Sequence, residues 1–231
     1  MAEEPSNVDQ WLGRETPHIR QALESASRYF DANDSLTVNT LEAMYGRESS
    51  FGTMLRERGS SIPAGHFHFK PDTAKEYGLS VSKDNDQRFD IDYASSAAAR
   101  YLKDIDNRFS EDTKTIIGVK NSVERQRFTL AAYNGGPRRI ADAQQRAKQA
   151  GTDPTSWMNV EKFLESEDTS RSKADEIRQY VERVLSYQAE FAVKSPADET
   201  IKHKEPPRRG EYLCTEGHWV TIDDRPVFIC D

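Results

Sequence analysis

No run of apolar residues in this 231-residue chain approaches the length needed to cross a membrane. Basic charge is also in short supply: 32 Lys and Arg stand against 39 Asp and Glu, a net charge of −7. Phosphate backbones need a basic surface, so nucleic acid is not an expected partner. The same deficit gives no long-range attraction to an anionic polymer, which a specific groove would have to hold. Cysteine is nearly absent, and both copies, Cys214 and Cys230, lie near the C-terminus. The opening residues, Met1 to Ser6, carry neither a basic n-region nor an apolar stretch, so they do not read as a secretory signal. The protein then stays inside, leaves by another route, or has lost a leader. What remains is polar but long enough for one main domain with a sizeable core and an appendage.

Helical periodicity fills most of the chain. Ile19, Leu23, Ala26 and Phe30 recur at helical spacing, and a helix ending near Glu48 is expected to start at Asp34 or Ser35. Residues 52–70 read as a loop with a short hairpin. Pro71 to Tyr77 forms a short helix closed by Gly78. Ala94, Ala98, Tyr101, Ile105 and Phe109 mark a longer one. Asn121 and Glu124 make a capping box before Val123, Phe128 and Ala131, and that helix stops at Asn134-Gly135-Gly136-Pro137. Further helices are expected over 138–150, 153–164 and around Ile177, Val181, Val184, Gln188 and Phe191. After Lys194 the prolines at 196, 206 and 207 read as a linker, followed by short strands at 211–214, 218–222 and 227–230 with a turn at 223–226. So small a β unit needs something to pack on: the helical body, a partner or a second copy.

Glu48 is the most informative residue. Leu41, Met44 and Tyr45 share its helix face, so its carboxyl points at the interior or a cleft wall. A carboxyl shielded from water keeps its proton more readily and can act as a general acid. The other reading is a core Glu bonded to Arg47 or a Tyr hydroxyl.

Four segments carry a resemblance: Glu48-Ser49-Ser50-Phe51, Gly65 to Ala74, Ala132-Tyr133-Asn134-Gly135-Gly136 and Tyr180-Val181, with Arg100-Tyr101-Leu102 beside them. In this order they resemble lytic transglycosylases of the soluble-lytic-transglycosylase type, related to goose-type lysozyme. That family carries Glu-Ser-x-Phe, Gly-Leu-Met-Gln-x-x-Pro-x-Thr-Ala, Ala-Tyr-Asn-x-Gly and Tyr-Val.

The resemblance implies a mainly α, lysozyme-like catalytic domain, to which the residues after Lys194 add a small C-terminal β-hairpin tail. The expected division is an N-terminal helical extension at 1–34, the catalytic domain at 35–194, a linker at 195–210 and a β tail at 211–231. The implied substrate is peptidoglycan glycan strands, cut at the MurNAc-β-1,4-GlcNAc bond with a 1,6-anhydro product and no cofactor. Action on the bacterial cell wall, in the periplasm, follows, with delivery by phage, a secretion system or a removed leader. Glu48 is the implied single acid and base. Tethering by the muramic C6 hydroxyl replaces the second carboxylate most glycosidases need. A water-using muramidase is the near alternative, with Asp90 or Asp92 as second carboxylate. A non-catalytic glycan-binding or assembly protein on the same fold is the distant one.

The implied substrate-binding residues are Ser49, Phe67, His68, Tyr133, Asn134 and Tyr180. Ser49 orients substrate or Glu48, or bonds back to its helix. Asn134 holds an acetamido group or the C6 oxygen, or simply caps its helix. Tyr180 aims its hydroxyl at Glu48, or is a core tyrosine. His66-Phe67-His68 replaces the family's Leu-Met-Gln, so Phe67 is free to stack on a sugar and His68 stands where Gln contacts it. His66 and His68 would share a strand face, but no third metal ligand is evident, so no metal is expected. Cys214 and Cys230 can form one disulfide in an oxidising compartment or bind zinc with His218. Lys202, Lys204, Arg208 and Arg209 form a local basic patch, read as a solvated linker. Residues 217–222 look like short tails on some bacteriophage and mobile-element proteins. A protein partner through the tail is a further expectation.

Overall fold

A computed structural model describes residues 4–195, together with the backbone of two strands at 217–222 and 225–230. The helices, in chain order, are α1 (Asn7–Leu12), α2 (Pro17–Ser27), α3 (Val38–Ser49), α4 (Pro71–Glu76), α5 (Ile91–Ser110), α6 (Ser122–Gly135), α7 (Pro137–Gln149), α8 (Trp157–Val160) and α9 (Arg171–Lys194). The fold is mainly α and lysozyme-like, as the resemblance implies. Among the described residues no helix is long and apolar enough to cross a membrane.

The core sits around α3. This helix is buried on nearly all sides, with only Arg47 and Glu48 left partly open at its C-terminal end. It packs on α9 and α2, while α6 packs on α5, α9 and α7. Burial all round suits a central helix, and it delivers the last turn of α3 to a cleft. The chain then turns sharply: Ser50 and Phe51 have φ of 48° and 55°. Left-handed backbone costs about 1–2 kcal/mol for each such residue. Insertion of Phe51 among Tyr45, Trp11 and Phe191 offsets it.

The sequence gives no direct sign of α1, yet its Trp11 is buried and stacks on Phe51 and Phe191. Gly46 makes room for it: a Cβ there would lie 2.4 Å from the indole ring. Val8 to Phe30 of the N-terminal region therefore contribute to the same core as α3 and α9.

Several expected boundaries shift for identifiable reasons. Neither Asp34 nor Ser35 starts α3. Asp34 accepts from the Asp31 N–H and pairs with Lys103, Ser35 meets Ser122, and Thr37 is the N-cap. Val123 is 54% exposed and not part of the inner face of α6. The helix expected over 153–164 shrinks to α8 and a 3-10 turn, Glu161–Phe163. There Asp153 accepts from both the N–H and the hydroxyl of Thr155, a side-chain turn that competes with helix. The helix starts only where Glu124 of α6 accepts the Trp157 N–H at 2.9 Å.

The strands β1 (Gly217–Ile222) and β2 (Arg225–Cys230) pair antiparallel, from Gly217 opposite Cys230 to Ile222 opposite Arg225. Arg225 and Pro226 thus belong to a strand, not to the turn assigned to them. A proline is tolerated there because each strand of a two-stranded ribbon has an unpaired edge. The strand expected at 211–214, the linker from 196, the basic patch and Cys214 lie outside the described residues.

Candidate active-site cleft

Glu48 stands on the wall of a cleft of about 460 Å³. The cleft draws on α3 for Glu48, on the loop after it for Arg56 and His68, on α6 for Tyr133 and Asn134, and on α9 for Lys173 and Glu176. The Glu48 side chain is 14% exposed. It is therefore shielded from bulk water but reachable from the cleft. A second cavity of about 390 Å³ shares Gly135, Gly136 and Arg139 with the first, so the depression continues along the surface.

Two phenols lie behind the carboxyl. Tyr133 and Tyr180 stack at 6.4 Å between ring centroids. The Tyr133 hydroxyl donates to the Phe67 carbonyl at 2.9 Å. Tyr180 is 1% exposed, and its hydroxyl reaches no partner in hydrogen-bonding geometry. Burial, and then the Glu48 charge, push both phenols well above their ordinary pKa. Both stay protonated; the Tyr133 hydrogen is taken by the Phe67 carbonyl, and the Tyr180 hydrogen is the one left to give to a carboxylate. The Arg47 guanidinium lies 5.8 Å from the Tyr180 ring centre.

The loop that carries His68 is tied down by a residue that sequence reasoning missed. Arg88 is fully buried and grips Asp86 through Nε at 2.9 Å and Nη2 at 2.7 Å. Its remaining donors bond the carbonyls of Ser60, Ile62 and Phe69, and its own carbonyl accepts the His66 N–H at 2.8 Å. Gly65 passes close by with φ of 81°, where a Cβ would sit 2.1 Å from the Arg88 carbonyl oxygen. The loop therefore presents His68 from a fixed frame. Its Nδ1 lies 3.3 Å from Glu48 Oε2.

The expected site residues divide. Glu48, His68, Tyr133 and Asn134 line the cleft, with Tyr180 buried behind Glu48. Ser49 does not reach the cleft: its hydroxyl is buried, donates to the Tyr45 carbonyl and accepts from the Gly52 N–H, both at 3.2 Å. Phe67 is also corrected. Its ring is fully buried against Tyr45, so no face is left for a sugar, and it meets the site through its carbonyl. His66 shares no face with His68. It lies against Tyr45, with Nε2 3.2 Å from the Phe89 carbonyl oxygen, and burial pushes its pKa down to about 4. Asp90 and Asp92 are elsewhere as well: Asp90 caps α5, and Asp92 pairs with His18 at 2.7 Å.

The second carboxylate of the cleft is Glu176, which the sequence reading overlooked. It accepts from Lys173 at 2.8 Å and from the Asn134 amide at 3.1 Å. Burial acts to raise its pKa, but these two hydrogen bonds outweigh burial and hold it below the usual glutamate range. The available signal was its position one helical turn before Tyr180. The cleft can thus offer one shielded acid with two phenols behind it, and one carboxylate kept ionised by a lysine.

Comparison with known proteins gives a consistent result. Residues 27–155, more than half of the chain, match the transglycosylase SLT domain family. The chain is similar to membrane-bound lytic murein transglycosylase F of Desulfosudis oleivorans, at 32% identity over 124 residues, covering 50% of this chain and 24% of that protein. The protein of the same name from Shewanella loihica is 33% identical over 92 residues, 40% of this chain and 17% of its own length. That of Pseudomonas fluorescens is 26% identical over 150 residues, 64% of this chain and 28% of its own. This chain spans 17–28% of the length of these relatives.

Proposed function

From its place in the transglycosylase SLT domain family, to which this chain belongs, we propose that it is a peptidoglycan lytic transglycosylase acting on the bacterial cell wall. It cleaves the MurNAc-β-1,4-GlcNAc bond and leaves a 1,6-anhydro end. Glu48 gives its proton to the glycosidic oxygen. As carboxylate it then takes the proton of the muramic C6 hydroxyl while that oxygen attacks C1. The tethered hydroxyl supplies an effective concentration worth roughly 7–11 kcal/mol, which removes the need for an activated water. One observation carries this reading: among the described residues the shielded carboxyl on the cleft wall is Glu48, with the buried, protonated Tyr180 phenol behind it. Asn134 and Glu176 on the cleft wall are the groups suited to hold acetamido and hydroxyl substituents. The continuing depression past Gly136 suits an extended polymer.

The test is Glu48→Gln on purified sacculi. General acid–base catalysis contributes on the order of 10²- to 10⁴-fold, and a loss of that size with unchanged circular dichroism and sacculus binding is expected. Undiminished solubilisation would reject Glu48 as the acid, and a wild type that binds sacculi without solubilising them would return the fold to a glycan-binding role. The hydrolytic alternative has one candidate in the cleft, Glu176, in place of Asp90 or Asp92. Reducing ends among the products, lost in Glu176→Gln, would support it.

A further inference from the structure

At the position where the family pattern has glutamine, this chain has an imidazole in contact with the proposed acid. His68 Nδ1 lies 3.3 Å from Glu48 Oε2, with side chains 15% and 14% exposed. The contact is at ion-pair distance and outside hydrogen-bonding alignment, and catalytic hydrogen bonds are often poorly aligned until substrate is bound. The other ring nitrogen, Nε2, is 3.0 Å from the Met54 carbonyl oxygen. A carbonyl only accepts, so Nε2 carries a hydrogen. In a neutral ring, Nδ1, 3.3 Å from the carboxyl, then carries the lone pair. A lone pair facing a carboxylate is repulsive unless a proton lies between them. The ring is not free to escape this: His68 has φ of 46°, and its loop is held by Arg88.

We propose that Glu48 and His68 hold one proton between Oε2 and Nδ1, and that this shared proton is the one delivered to the glycosidic oxygen. The inference rests on the transglycosylase reading above. The steps balance. The proton passes from Glu48 to the leaving oxygen as the glycosidic C–O bond breaks, and the imidazole is left neutral beside a carboxylate. A neutral imidazole does not quench that carboxylate as a fixed cation would. Glu48 then takes the C6 hydroxyl proton as the new C1–O bond forms, and the pair regains the proton it gave. Neither water nor external acid is consumed.

The other charged or titratable groups facing this cleft or its acid are Arg47 beside Glu48 on α3, Arg56 and Lys70 beside the loop, Tyr101 of α5, Tyr133 of α6, Arg139 of α7, and Tyr180, Lys173 and Glu176 of α9. Arg56 bonds the Pro63 carbonyl, Arg139 bonds Thr169 and Lys173 bonds Glu176. Tyr101 and Tyr133 are kept protonated by burial. His68 is the titratable group whose ring meets Glu48 at ion-pair distance.

The test is the pH dependence of kcat/KM on purified sacculi for the wild type and His68→Gln. A coupled pair releases its last proton at higher pH than a carboxyl acting alone. The alkaline fall in activity is expected to move to lower pH in the variant. At its own optimum the variant should stay within about tenfold of the wild type, since the glutamine retains a hydrogen-bonding group. Superimposable pH profiles, whatever the loss in rate, overturn the proposal. If His68→Gln does not fold, ring-nitrogen NMR of the wild type and Glu48→Gln decides it. The His68 signals should titrate over different pH ranges in the two, and identical ranges overturn the shared proton. A wild type that leaves sacculi intact at every pH defeats the functional reading instead, and the NMR comparison then judges the proton pair alone.

Discussion

Tyr180 is the residue at which activity and stability should part. Its buried hydroxyl has no partner in good geometry, and its nearest charged neighbour is the Glu48 carboxyl. A hydrogen bond to a charged group contributes about 1.5–3 kcal/mol once formed, whereas an unsatisfied buried hydroxyl is a liability. Tyr180→Phe is therefore expected to lower kcat by about ten- to a hundredfold while Tm stays level or rises. A fall in Tm with unchanged kcat would make Tyr180 an ordinary core tyrosine. At this scale the sequence was legible where chemistry is local. The spacing of Leu41, Met44, Tyr45 and Glu48 gave the buried face, and Tyr133 with Asn134 led into the cleft. Ser49 bonds back to its helix, the second of its two readings, whereas Phe67 was not legible, because the tight loop at Gly65 turns its side chain inward. One-dimensional spacing does not report such reversals. Nor does it report that Glu176 reaches the cleft through a lysine and an amide.

Between elements, the loop from Ser60 to Phe69 owes its shape to a side chain that comes after it in sequence. Arg88 and Asp86 are both fully enclosed, and Arg88 gathers three loop carbonyls. Removing one member of a buried pair leaves an uncompensated charge, which costs about 3–5 kcal/mol. Arg88→Met is expected to destabilise by that amount in chemical denaturation, and the added change Asp86→Asn should restore a large part of it. A single variant within about 0.5 kcal/mol of wild type would show that the pair does not organise the loop. Helix limits follow the same rule. Pro71 with Gly78, and Asn121 at the start of α6, sit next to what they cap and were readable, whereas the other half of the expected capping box is missing because Glu124 turns to Trp157. Thr37 and the start of α8 depend on Lys103 occupying Asp34 and on Glu124 reaching Trp157, contacts made between distant helices. Trp11 on Gly46 is a third such case, and it is why α1 escaped periodicity.

For the molecule as a whole, one buried cluster joins the N-terminal helices to the end of α9. Arg20 meets Glu24 and Glu42, Asn39 donates to Glu42 at 2.6 Å, and both Arg20 and Asn39 bond Ser195. Burial pushes Glu42 up to about 8 against the pull of Arg20, and the neighbouring Glu15 carboxylate adds to the rise. An unfolded glutamate titrates near 4.3, so the folded state binds the extra proton between the two values. This contribution to stability is fully present below the unfolded value and is lost as pH rises toward about 8. Glu42→Gln should flatten the stability–pH curve across that interval, and curves parallel to wild type would contradict it. The net charge of −7 sits on the same molecule as a cleft that includes Arg56, Lys70, Arg139 and Lys173, so an anionic glycan is to be met locally, not steered from afar. The central claim is that no water enters the product. Its most direct test is digestion of purified sacculi in heavy-oxygen water, followed by mass spectrometry of the released muropeptides. The expected result is 1,6-anhydro ends with no heavy oxygen; reducing ends that carry the label would contradict the transglycosylase mechanism.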